Sequence, residues 1–143
     1  MNDDEFLLAF ETASLPNEAF HHADHVRAAR LFLLRDGPLV ALERFTSSLR
    51  RFAAAHGAPQ LYHETITLAY LFLIHERMAR QGPHHTWEEF RARNADLFAF
   101  RPGVLDAYYR KETLASDLAR RVFVLPDLRA DATSSACTRS PGT

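Results

Sequence analysis

Apolar positions recur at intervals of three and four along almost the whole chain, and no stretch alternates β-branched with polar residues between hairpin turns. The pattern predicts an all-α protein. A short first helix carries Phe6, Leu7 and Phe10 behind the capping residues Asn2, Asp3 and Asp4, and it ends near Thr12. A second runs from about Phe20 to Arg35 with Val26, Ala29, Phe32 and Leu33 on one face, and Gly37-Pro38 closes it and opens the next. The third covers about Pro38 to His56, with Leu39, Leu42, Phe45, Leu49 and Phe52 at spacings of three and four. The fourth, about Leu61 to Arg80, is apolar almost continuously from Ile66 to Ile74, which predicts a central helix covered by neighbours over most of its circumference. Thr86 with Glu89 forms a capping box for a fifth helix that ends before Pro102. Two shorter helical segments follow, near Val104 to Tyr109 and Thr113 to Phe123. The expected architecture is a single-domain helical bundle over residues 1–128, with five main helices and short C-terminal segments. Residues 129–143 are small and polar and are expected to be a disordered tail.

Composition narrows the class. The chain has 143 residues, 47% of them hydrophobic and 24% charged, as in an ordinary globular protein able to fold without staples. Its 17 Lys and Arg balance 18 Asp and Glu to a formal charge of -1, which leaves no basic footprint for nucleic acid. One cysteine, Cys137, permits no internal disulfide and fits a reducing compartment. No apolar run approaches the roughly 20 residues of a membrane span, and the start is acidic where a signal peptide would be basic. A cytoplasmic location with no membrane partner is expected.

The informative chemistry opens the second helix, at Phe20-His21-His22-Ala23-Asp24-His25. Residues three or four apart share a helix face, so His25 can pair with His22 or His21, and the i, i+3 pair with His22 leaves His21 toward solvent. Two imidazoles aimed at one point suit a transition metal. A third ligand is offered by Tyr62-His63-Glu64-Thr65, at the start of the central helix. His63, Thr67, Tyr70 and Ile74 lie on one stripe there, so a polar first turn leads into an apolar wall, as a lined pocket would. If the second and fourth helices run side by side, His22, His25 and His63 converge on one metal with an open position. Asp24 and Glu64 could orient those imidazoles, but charges favourable at helix N-termini are the plainer reading. Tyr62 and Glu64 are the candidate catalytic groups. His56, His84 and His85 read as structural or solvated, and His75 lies about 18 Å along the helix from His63, too far to share its metal. Tyr108, Tyr109 and Trp87 read as packing residues. Phosphate loops, nucleophile elbows, zincin motifs and paired-Cys zinc ribbons are absent.

Phe20-x-His22-x-x-His25, Tyr62-His63-Glu64-Thr65-x-Thr67, Tyr108-Tyr109, Leu114-x-Ser116, Ala119-Arg120 and Phe123-x-x-Pro126-Asp127-Leu128 resemble a group of small all-helical bacterial proteins of uncharacterised function. The resemblance spans about Phe6 to Leu128; it implies a shared fold and supports the three histidines but names no reaction. More loosely, a bundle with a three-His site is similar to the DinB-like metal proteins, some of which are thiol-dependent transferases. Those carry their His pair late in the chain, and this one carries it early. The first expectation is therefore an enzyme that acts on a small-molecule substrate with one transition metal, copper or zinc ahead of iron, for redox or water-activating chemistry. The alternative is a non-enzymatic binding or regulatory module, or a metal storage or sensing protein, in which the apolar stripe is core and exposed aromatics serve a partner or homodimer interface.

Overall fold

A computed structural model describes residues 1–82, 85–99 and 103–128. The expected tail at 129–143 with Cys137, and the breaks placed at Pro83-His84 and Pro102, lie outside the described residues. Among the described residues there are seven α-helices and no strand, so the fold is all-α. They are α1 (Asp3–Glu11), α2 (His22–Arg35), α3 (Pro38–Ala55), α4 (Glu64–Gln81), α5 (Trp87–Arg93), α6 (Lys111–Leu114) and α7 (Asp117–Arg121). Short 3-10 turns at Asn17–Ala19, Pro59–Leu61, Ala95–Leu97 and Val104–Ala107 join them.

The helix starts follow local chemistry. Asn2 accepts from the Glu5 amide at 2.8 Å while the Glu5 carboxylate accepts from the Asn2 amide, a reciprocal cap. Thr86 and Glu89 make the same box at 3.1 and 3.0 Å. Pro38 sits at the first position of α3, where its missing N–H costs nothing. Gly82 closes α4 with φ 94, in the left-handed region that a side chain would strain.

The hydrophobic stripes meet as expected on α1 and α2. Phe10, with no exposure, is the hub: Phe20 stacks on it at 4.7 Å, and the rings of Phe32, Phe45 and Phe52 lie 6.0–6.4 Å away. Aromatic burial on this scale supplies much of the energy that offsets chain ordering. The core therefore sits where α1, α2 and α3 pack, and α4 closes it from the other side against α2 and α3.

Four elements differ from the sequence reading. Leu39, first in the α3 stripe, is exposed, because the buried face of α3 runs through Ala41, Phe45, Ser48 and Phe52 and Leu39 lies off it. Phe72 on α4 is 47% exposed and meets the ring of Phe123 edge-on (centroids 5.6 Å, 88°), so one face of the central helix is not covered by neighbours. The fifth helix stops at Arg93. Asn94 ends it: its buried amide donates to Phe90 O and pairs with Gln81, which holds the chain in a tight turn instead of a further helical one. The C-terminal part is likewise less helical than expected, a 3-10 turn and two short helices followed by an irregular segment. That segment is pinned to α4 by Thr65, whose hydroxyl donates to Val122 O (2.8 Å) and accepts from the Val124 amide (3.0 Å). No helix among the described residues is long and apolar enough to cross a membrane.

Candidate functional site

The residues singled out at the start of α2 and α4 do border shared space. α2 packs along α4, and a deep cavity of about 80 Å³ opens between them, lined by His22, His25, Val26, Ala29, Phe45, Leu49, Ile66, Thr67, Tyr70 and Ile74. The stripe Thr67, Tyr70 and Ile74 is thus a cavity wall, as its spacing implied. A second, outer cavity of about 350 Å³ is lined by Phe20, His25, Phe52, His56, Tyr62 and His63, with Leu49, Ile66 and Thr67 again contributing. Among the described residues, neither lining contains an Asp, Glu, Lys or Arg.

His63 is not in the first turn of α4; it is the N-cap. Its Nδ1 accepts from the Ile66 amide at 3.1 Å, and its Nε2–H donates to Leu114 O at 2.7 Å. A carbonyl can only accept, so the proton sits on Nε2 and both ring nitrogens are committed. A metal ligand must present a free lone pair, and His63 would have to release its cap or its tautomer to do so. His22 is also partly committed: its Nε2–H donates to Leu97 O at 2.8 Å, and its ring meets Tyr70 edge-on at 5.1 Å. No group of three or more His, Cys, Asp or Glu side chains among the described residues is placed to hold an ion. The three histidines share cavity walls, with His22 and His25 on the inner one and His25 and His63 on the outer, but they do not present three free nitrogens to one point.

The two candidate catalytic groups satisfy each other. The Tyr62 hydroxyl donates to Glu64 Oε1 at 2.6 Å, Arg50 pairs with the same oxygen at 3.0 Å, and the Arg50 guanidinium lies 4.5 Å over the Tyr62 ring. Burial and the bond to Glu64 push the Tyr62 phenol up to about 12, so it holds its proton at neutral pH. Asp24 accepts from the His21 amide at 2.9 Å, which makes it a helix-start cap and not a partner of the imidazoles.

His25 is the exception. Its ring stacks on Phe20 at 4.3 Å, at the edge of the aromatic core, and borders both cavities. Neither of its nitrogens bonds to protein among the described residues. Burial first, then the neighbouring His22, lowers it from 6.5 to about 4, so the imidazole is neutral near pH 7, with one donor and one acceptor to offer.

Sequence reading placed His56 at a helix end as a structural residue. It does hold Leu15 O at 3.1 Å and lies against Phe52 at 4.4 Å, yet it also forms part of the outer wall. Its four-residue spacing from Phe52 put both on one face of α3; only the packing that brings Phe20 and the Pro59–Leu61 turn beside α3 made that face a cavity wall. No family model matches the chain, and no curated protein or solved structure matches it either.

Proposed function

We propose that the protein is a small-molecule-binding module that takes an uncharged, largely apolar ligand into the cavities between α2, α3 and α4, with His25 as the polar contact. The observation that carries this reading is a neutral imidazole without a protein hydrogen bond among the described residues, set in the wall common to two apolar cavities. A half-buried imidazole of that kind can complete its hydrogen bonding with a ligand. An outer volume of about 350 Å³ falls in the range of ligand pockets, roughly 300–1,000 Å³. Because the lining carries no charged side chain among the described residues, an ionic ligand would lose its hydration without compensation, so the ligand is neutral.

Recognition fits the site better than catalysis does. A base needs a second uncommitted group beside it to stabilise developing charge, and His63, Tyr62 and Glu64 are each bonded to protein. The reading is tested by following the His25 ring resonances during titration with benzyl alcohol and with indole. A saturable shift at His25, accompanied by a rise in thermal stability, is expected; free ligand at 100 times its Kd adds about 2.7 kcal/mol. Failure of both probes to give a saturable change at His25 overturns the proposal.

A further inference from the structure

The two cavities share four residues, His25, Leu49, Ile66 and Thr67. They differ in depth. The inner one is floored by Val26, Ala29 and Ile74, each 1% exposed, whereas the outer one reaches the exposed residues Asn17 and Leu61. We infer that they are two chambers of one binding site with His25 at the waist, built for a ligand whose hydroxyl-like group lies between a short alkyl branch and a larger ring. The inference rests on the small-molecule reading above and specifies the ligand's shape.

Volume sets the two ends. A dry apolar cavity of about 150 Å³ accepts benzene. The inner chamber, at about 80 Å³, is too small for a ring and suits an alkyl branch of a few carbons. The outer chamber, at about 350 Å³ and with Phe20 and Phe52 in its wall, has room for a ring and aromatic faces to stack against it. Polarity sets the middle. Of the four waist residues, Leu49 and Ile66 are apolar, and the Thr67 hydroxyl gives its proton to His63 O at 2.7 Å, which leaves it able only to accept. His25 is the waist residue that can both give and take a hydrogen bond, and a neutral imidazole can do either with a hydroxyl.

The 1-phenylalkan-1-ols have this shape, a ring and an alkyl tail on either side of one hydroxyl carbon. Affinities of benzyl alcohol and of the ethyl-, propyl- and hexyl-tailed members are measured by calorimetry on the full chain. On the wild-type protein each added methylene should tighten binding roughly fourfold until the inner chamber is full at about three carbons, and the hexyl tail should bind more weakly. Ala29→Leu, which fills the inner chamber, should flatten that series. Nuclear Overhauser contacts from the propyl tail to the Ala29 and Ile74 methyls, and from the ring to Phe52, give a second readout that needs no variant. Binding whose dependence on tail length is the same in Ala29→Leu, or a tail that contacts Phe52 while the ring contacts Ile74, overturns the two-chamber site and leaves small-molecule binding standing. Absence of saturable binding by every member overturns the two-chamber site, and if indole fails as well the small-molecule reading falls with it.

Discussion

Replacing His63 separates its structural duty from a metal-binding one. The ring does two things at once: it caps α4 through Nδ1 at 3.1 Å, and it ties Leu114 O at the end of α6 through Nε2 at 2.7 Å. Loss of a good N-cap costs about 1 kcal/mol, and a carbonyl left without its partner costs about 1–3 kcal/mol. His63→Ala should therefore destabilise the fold by about 2–4 kcal/mol. Two further variants divide the loss. Asn is a strong N-cap but too short to reach Leu114, whereas Gln reaches as far as Nε2 but caps poorly. Each should lose about half as much as Ala, with imperfect additivity because both bonds share one side chain. Urea denaturation at pH 7.5 measures the midpoints, with a constant slope expected if only stability changes. A His63→Ala midpoint equivalent to less than about 0.5 kcal/mol of loss, well below the sum of these two terms, would refute the assignment of both nitrogens. A loss seen only with metal present would restore the three-histidine centre.

The remaining expectations concern the same region. Protein incubated with Zn²⁺ or Cu²⁺ and then dialysed should retain far less than one equivalent by elemental analysis; one retained equivalent that disappears in His63→Ala contradicts the hydrogen-bonded placement of that ring. His25 binds a proton in the unfolded chain near 6.5 but in the fold only near 4, so its contribution to stability is full above about pH 6.5 and is lost as the pH falls toward 4. The stability gap between wild type and His25→Gln, compared by denaturation across that window, should narrow by about 3 kcal/mol; a gap independent of pH sinks the half-buried, neutral imidazole. Thr65→Val keeps the shape of a fully buried side chain but strips the bonds to Val122 and Val124, at a cost of about 1–3 kcal/mol. Hydrogen exchange at the Val124 amide should accelerate, and unchanged protection there would show that Thr65 does not pin the segment.

Periodicity and punctuation were enough to define the all-α class and the five main helices α1 to α5, because each helix must present its own apolar stripe and end at its own caps: Phe6, Leu7 and Phe10 on α1, Gly37-Pro38 at the α2–α3 junction, the Thr86–Glu89 box. The C-terminal third was less legible. Its segments are held by long-range bonds, from Thr65 to Val122 and Val124 and from Tyr109 to Val124 O at 2.7 Å, which leave no local period to read. The same division holds for the site. The clustering of His22, His25 and His63 at helix starts could be read from spacing, as could the Thr67-Tyr70-Ile74 wall. Which ring nitrogens stay free could not, because Leu114 and Leu97, whose carbonyls occupy His63 and His22, lie 51 and 75 residues away along the chain. A side chain's chemistry depends on what its polar atoms meet, and only the packed structure brought those distant carbonyls to two of the imidazoles while leaving the third to the cavities.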